Sequence, residues 1–256
     1  NFMELQEVYL IEKITQQDID NYFVHLQVRP NKKRGGGLSS AYLNKHREAV
    51  LRFMEYFYNV EMGCSPFLIR IFKDGETPIE ILTKEEIALL FSLCEPNFEG
   101  IRTKVLLSLM YGCGLRKSEL FRLDISDLNL LNDTLRVKKA KNSVQRDIPL
   151  SPTVKQNLED YLYNVREYLL RPSNPTDAFL LTNVGDRMSK ESIHFKIKQL
   201  AKLSEIDKPI SCHKLRHAIG THLVDNFSLE EIALFLGHKS IDSTQIYTHY
   251  KYTKIK

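Results

Sequence analysis

Residues 134–150 have the sequence TLRVKKAKNSVQRDIPL, and this stretch decides the fold class. Outside it, apolar residues recur every three or four positions, whereas within it they alternate with polar residues, as in a half-buried strand. Residues 134–139 and 144–150 are therefore predicted to form a β-hairpin whose turn includes residues 140–143. Because the flanking segments carry helix signals, we expect a mainly α protein with a small antiparallel β-sheet.

Short motifs predict where several helices begin. Thr83-Lys-Glu-Glu86 and Ser228-Leu-Glu-Glu231 have the form of a capping box, in which the first and fourth side chains bind free backbone N–H groups. Thr15-Gln-Gln-Asp18 is a similar cap, and Ser151-Pro152 places proline at the first helical position. A long helix is predicted over residues 39–58.

The chain of 256 residues is long enough for two domains. Lys73-Asp-Gly-Glu-Thr-Pro78 has the composition of a linker, and the capping box that follows marks a new helix. We therefore predict an N-terminal domain over residues 1–76, a linker over residues 77–82 and a second domain over residues 83–256.

Composition excludes several classes of protein. Apolar residues make up 43% of the chain and charged residues 27%, and the mean hydropathy is −0.30, an ordinary globular balance. No stretch approaches the roughly 18 apolar residues of a membrane helix. The four cysteines are far apart and form no C-x-x-C pair, which favours a reducing cytoplasm over a disulfide scaffold or a zinc knuckle.

The distribution of charge says more than its net value of +4. Residues 29–52 carry seven basic residues and one acidic residue, and a second basic cluster lies in the predicted hairpin. Separated basic clusters suit a polyanion that contacts the protein at several places, although solvated lysines on helix faces explain any one cluster equally well. The predicted DNA-binding residues are Lys32, Lys33, Arg34, Lys45, Arg47, Arg52, Lys138, Lys139 and Arg146.

Four short stretches of the second domain contain residues suited to chemistry. They are GCGLRKSE at 112–119, the hairpin lysine, HKLRH at 213–217, and LGH at 236–238 followed by YTH at 247–249. In this order they resemble the tyrosine recombinase (phage integrase-like) family, in particular its Xer-type and its transposon or conjugative-element integrase members. The family pattern Arg…Lys…His-x-x-Arg…His…Tyr is matched by Arg116, Lys141, His213, Arg216, His238 and Tyr247.

The resemblance covers nearly all of residues 79–256 and implies a fold and a function. The fold would be a two-domain C-shaped clamp around duplex DNA, with an N-terminal helical core-binding domain and a mainly helical catalytic domain. The function would be site-specific cleavage and rejoining of DNA strands through a covalent 3′-phosphotyrosine, by a homotetramer on two synapsed recombination sites. Accessory DNA-bending proteins are possible partners, no membrane is expected, and the site of action would be the bacterial cytoplasm, at the nucleoid.

The residue types also suit this chemistry without the family. A phosphodiester under attack gathers negative charge on its non-bridging oxygens, and planar guanidinium groups such as those of Arg116 and Arg216 bind that charge with paired hydrogen bonds. A phenol has a pKa near about 10, so Tyr247 needs nearby positive charge to become a nucleophile, and His213 is placed to help take the proton.

Three further residues complete the predicted site. Lys141 is the candidate general acid for the leaving 5′-oxygen, and His238 would donate a hydrogen bond to the scissile phosphate. Glu119 lies three residues after Arg116, on the same face if the segment is helical, and would orient Arg116 or His213. Because the phosphotyrosine keeps the energy of the broken phosphodiester bond, religation is expected to need neither ATP nor a metal. No other cofactor is expected.

Three alternatives remain open on the sequence. A non-catalytic DNA-binding regulator with the same fold would explain the basic clusters but would not need all six catalytic residue types. A metal-dependent nuclease could use His213, His217 and His238 as ligands, and full activity in EDTA would exclude it. A type IB topoisomerase shares the chemistry, but it is usually longer than this chain.

Overall fold

The computed structural model describes residues 13–31, 37–60, 67–73, 80–139 and 144–238. Its contacts divide the chain into two compact units, Asn1–Ile79 and Glu80–Lys256. Within the described ranges, no helix is long and apolar enough to cross a membrane.

The described residues of the first unit form two helices, α1 (Gln16–Val28) and α2 (Ser40–Asn59). The predicted cap of α1 is confirmed, since the Thr15 side chain accepts a hydrogen bond from the Asp18 amide and Asp18 accepts one from the Thr15 amide. Both helices bury one apolar face, and the segment 67–73, which is neither helix nor strand, adds to the same core. The buried apolar residues are Ile14, Ile19, Phe23, Leu26, Leu43, Met54 and Phe72.

Helices form most of the described part of the second unit. They are α3 (Lys84–Ser92), α4 (Phe98–Leu107), α5 (Lys117–Phe121), α6 (Pro152–Tyr161), α7 (Glu167–Leu169), α8 (Lys190–Ser204), α9 (Cys212–Leu223) and α10 (Leu229–Leu236). Two π-helical turns, Ser108–Gly112 and Leu162–Arg166, extend α4 and α6. The capping boxes predicted at Thr83 and Ser228 are both present, and they begin α3 and α10.

A three-stranded antiparallel sheet interrupts the helices. Strands β1 (Leu128–Asn129), β2 (Thr134–Val137) and β3 (Arg146–Pro149) lie in the order β1-β2-β3. Leu135 pairs with Ile148, and both side chains are buried against the helices. The predicted hairpin is confirmed with shorter strands, β1 is an addition, and the prediction of a mainly α fold with a small antiparallel sheet is confirmed.

The loop between the π-helical turn and α5 lies against the end of α10. Gly114 has a φ of +61°, a left-handed backbone conformation that glycine adopts without strain. A Cβ at this position would lie 2.7 Å from Leu236 Cδ2 and 3.1 Å from Phe235 Cε1. This close approach brings the start of α5 next to the carboxyl end of α10, although 121 residues separate Arg116 from Gly237.

Candidate active site

Arg116 stands at the amino end of α5, where it pairs with a glutamate one turn later. Its backbone N–H donates to Glu119 Oε2 over 2.8 Å, and its Nη1 donates to Glu119 Oε1 over 3.1 Å. Its Nη2 reaches the carbonyl oxygen of Gly237 at 3.3 Å. The Arg116 side chain keeps 27% of its surface exposed, so the guanidinium can also contact a ligand.

Arg216 projects from α9 and is almost completely buried. Its guanidinium donates to the carbonyl oxygens of Gly114 and Leu236, which belong to the two segments that meet beside α5. Its Nη1 lies 3.8 Å from Glu119 Oε2. The structure therefore places both predicted phosphate-binding arginines around one carboxylate.

A third arginine joins this cluster from the sheet. Both terminal nitrogens of Arg146 donate to the Glu119 carboxylate at 3.1 Å, and Nε donates to the Phe235 carbonyl oxygen at 2.7 Å. The side chain is 3% exposed and all three of its nitrogens donate to protein acceptors, so Arg146 lies inside the protein, whereas the prediction had grouped it with the DNA-binding residues. The strand alternation explains the difference, because Arg146 shares the buried face of β3 with Ile148.

Glu119 stays ionised in this setting. Burial raises the pKa of its carboxyl, but the hydrogen bonds and charge of Arg146, with smaller contributions from Arg116 and Arg216, lower the pKa below its ordinary value. Three guanidinium charges surround one carboxylate, so the four side chains together carry a net charge of +2. An anion such as a phosphate group is attracted to a cluster of this kind.

Two histidines on α9 are hydrogen-bonded to each other. His213 and His217 lie one turn apart, with their Nε2 atoms 2.9 Å from each other, so one ring donates and the other accepts. Burial, followed by the charge of Arg216, lowers the pKa of His213 below 6.5, and burial followed by His213 lowers the pKa of His217 to about 4. Both rings are therefore neutral at pH 7, and His213 is able to accept a proton.

His238 follows α10 directly. Gly237 ends the helix with a φ of +64°, and the His238 amide donates back to the Ala233 carbonyl oxygen at 2.9 Å. Burial, with the charges of Arg216 and Arg116, lowers the pKa of His238 to about 4. A neutral imidazole carries one N–H donor, which is the group that the predicted role of His238 requires.

The lowered pKa of His217 predicts an acid-sensitive fold. Between pH 6.5 and about 4 the unfolded chain binds a proton at this residue that the folded chain does not, so the free energy of unfolding falls as the pH falls. We expect His217→Gln to reduce the fall in Tm between pH 7.5 and pH 5 by about 2 °C, a small value because solvent screens the partly buried ring. Differential scanning fluorimetry of both proteins measures the difference, and an equal fall would contradict the assignment.

The predicted DNA-binding residues of α2 have different surroundings. Lys45 is exposed to solvent. Arg52 is also exposed and pairs with Glu48 over 2.8 Å. Arg47 donates from Nε to the Ile69 carbonyl oxygen at 2.8 Å, so its side chain also joins α2 to the neighbouring segment.

The hairpin lysines differ from each other as well. Both lysines are exposed, and Lys138 Nζ lies 2.7 Å from Asp124 and 3.0 Å from Asp127. Five predicted residues lie outside the described ranges: Lys32, Lys33, Arg34, Lys141 and Tyr247. In the part of the chain that is described, no group of three His, Cys, Asp or Glu side chains is arranged to hold a metal ion. The Nδ1 atom of His222 lies 2.9 Å from the Tyr111 hydroxyl oxygen, and we interpret this hydrogen bond as a structural contact.

Comparisons with known proteins identify the family of the chain. The model of the "Phage integrase family" matches residues 80–254. The tyrosine recombinase XerD of Oceanobacillus iheyensis is 30% identical over 249 residues, which cover 96% of this chain and 81% of the relative. The tyrosine recombinase XerC of Natranaerobius thermophilus is 30% identical over 252 residues, 97% of this chain and 82% of the relative.

The fold is also that of a solved recombinase structure. The Tn1549 transposon integrase, in complex with transposon right end DNA, matches 96% of this chain and 86% of its own length with a TM-score of 0.77 and 19% identity. The identity is low, so this likeness concerns the fold, whereas the family model and the two relatives concern the sequence itself. The chain therefore belongs to the phage integrase family of tyrosine recombinases.

Proposed function

We propose that this chain is a site-specific DNA recombinase that cleaves and rejoins DNA strands through a 3′-phosphotyrosine at Tyr247, without a metal or ATP. The observation that carries the proposal is the shared binding of Glu119 by Arg116, Arg146 and Arg216 next to His238. The net positive charge of this cluster suits the additional negative charge of a phosphodiester in the transition state. A non-catalytic regulator with this fold would need Glu119 only as the counterion of its buried arginines, and it would not need the partly exposed Arg116 beside His238.

Each residue has a separate task in the proposed reaction. Arg116 and Arg216 bind the non-bridging oxygens of the scissile phosphate, and His238 donates a third hydrogen bond. Tyr247 attacks phosphorus, while neutral His213 takes the phenolic proton, so that a phosphotyrosine bond forms as the bond to the 5′-oxygen breaks. Lys141 protonates the leaving 5′-oxygen, and attack by a 5′-hydroxyl reverses the sequence.

The remaining parts of the proposal concern DNA and assembly. Residues 1–76 are proposed to form a core-binding domain whose helix α2 enters the major groove, and exposed Lys45 and Arg52 suit phosphate contacts there. A homotetramer would hold two recombination sites on the bacterial nucleoid. Accessory DNA-bending proteins are further proposed partners.

A suicide-substrate assay tests the proposal with the wild-type chain alone. A nicked duplex that contains the recombination site loses a short 5′-hydroxyl fragment after cleavage, which traps the covalent intermediate. We expect an SDS-resistant protein–DNA adduct in excess EDTA, with the modified peptide containing Tyr247. Binding without an adduct would favour a regulator, and cleavage that EDTA abolishes would favour a metal-dependent nuclease that uses His213, His217 and His238.

A further inference from the structure

The Arg146 side chain connects three separate segments of the second unit. It projects from β3, binds both carboxylate oxygens of Glu119 on α5, and binds the Phe235 carbonyl oxygen near the end of α10. Each of its three nitrogens thus donates to a protein acceptor at 2.7–3.1 Å. Arg146 is therefore hydrogen-bonded to the segments that carry Arg116 and His238.

The same guanidinium lies directly against the turn before His238. A Cβ at Gly237 would lie 2.6 Å from Arg146 Nη1 and 3.0 Å from Cζ. The Gly237 carbonyl oxygen also accepts the hydrogen bond from Arg116 Nη2 at 3.3 Å. Arg146 and Arg116 thus hold the same turn, one through packing and the other through a hydrogen bond.

The charge of Arg146 is not explained by packing. A buried ion pair loses hydration free energy, and an apolar side chain of similar volume is often at least as stabilising. A guanidinium, unlike an apolar chain, fixes the plane of a carboxylate through two parallel hydrogen bonds. The plane of the Glu119 carboxylate determines the position in which Arg116 can donate a hydrogen bond to it.

We propose that Arg146 is a positioning residue for DNA cleavage, which holds Glu119 and the Gly237–His238 turn where Arg116 and His238 bind the scissile phosphate. This inference rests on the proposed function. It assigns to Arg146 no contact with the substrate. A displacement of about 1 Å in a catalytic group reduces a rate by about 10²-fold, which sets the expected effect.

The first experiment compares Arg146→Lys with Arg136→Lys. Arg136 is the matched control, because it lies on the neighbouring strand, is 60% exposed and pairs with Asp147 at 3.0 Å. A lysine at position 146 keeps the charge but cannot bind both Glu119 oxygens and the Phe235 carbonyl together. We expect a single-turnover adduct rate about 10²-fold below that of the wild type, a DNA Kd within about threefold, and a wild-type rate for Arg136→Lys.

A second experiment separates positioning from a general loss of stability. The adduct rates of Arg146→Lys, Glu119→Gln and the double variant are measured where circular dichroism shows each to be folded. Since Arg146 acts through Glu119, we expect the double variant to be within about threefold of Glu119→Gln alone. Losses that multiply, or a wild-type rate in Arg146→Lys, would overturn the inference. If Arg146→Lys does not fold, Arg146→Gln replaces it with the same expectations.

A third readout does not depend on catalysis. Inorganic phosphate that binds at Arg116 and Arg216 raises Tm by mass action. We expect this rise in the wild type and in Arg136→Lys, and at most half of it in Arg146→Lys. If the wild type forms no adduct, the proposed function fails, and the phosphate result still decides on Arg146: an unchanged rise in Arg146→Lys would overturn the positioning role.

Discussion

We expect Tyr247→Phe to form no covalent adduct with the suicide substrate, while its affinity for the same duplex stays within about twofold of that of the wild type. The substitution removes one hydroxyl and keeps the ring, so that packing and charge are preserved. In the proposed reaction no other group of the protein replaces the nucleophile, and the adduct rate is expected to fall by at least about 10⁴-fold. Denaturing gel electrophoresis of the trapped complex measures the rate.

Tyr250→Phe is the matched control for this prediction. Tyr250 lies three residues further along the chain but lacks the Thr-x-x-Tyr-x-His setting of Tyr247. We expect Tyr250→Phe to form the adduct at the wild-type rate. Adduct formation by Tyr247→Phe, or its loss in Tyr250→Phe alone, would show that the nucleophile has been assigned to the wrong residue.

Arg216→Lys is expected to reduce the adduct rate by about 10³-fold, the lower end of the range found for arginines that stabilise a phosphoryl transition state. The buried Arg216 guanidinium donates to the Gly114 and Leu236 carbonyl oxygens, and its positive charge also attracts a phosphate. A lysine ammonium is a point charge without the planar fork, and it cannot serve these acceptors and the phosphate together. Single-turnover kinetics at saturating enzyme measures the change.

Arg187→Lys controls for the structural part of that effect. Arg187 also donates to two backbone carbonyls, those of Phe121 and Leu123, at 3.0 and 3.1 Å, and it pairs with Asp124. We expect a comparable decrease in Tm for both variants and a decrease in adduct rate for Arg216→Lys only. Equal adduct rates in Arg216→Lys and Arg187→Lys would mean that Arg216 contributes to folding and not to DNA cleavage.

Local signals predicted much of the fold. Capping boxes at Thr83 and Ser228 begin α3 and α10 because they involve neighbouring residues only, and a change of hydrophobic period was enough to predict the hairpin. Strand β1, with two residues, is too short for any alternation to show. The π-helical turn Ser108–Gly112 depends on packing against other helices, and no sequence pattern marks it.

The site was predicted to a similar extent. The motif order placed Arg116, Glu119, Arg216 and His238 together, and the structure brings them around one carboxylate and one turn. The burial of Arg146 was missed because its partner lies 27 residues away, although its alternation with Ile148 on β3 was a usable signal. The roles of Lys141 and Tyr247 remain predictions, since both residues lie outside the described ranges.

The carboxylate shared by three arginines has a consequence for the interpretation of related sequences. Loss of Glu119 would leave buried positive charges without a counterion, which destabilises a protein by about 3–5 kcal/mol. A descendant that had given up DNA cleavage would therefore still be selected to keep Glu119 for folding as long as it kept the buried arginines. In such lineages Glu119 persists after the nucleophile has been lost, so its presence in a genome sequence identifies ancestry and does not identify an active enzyme.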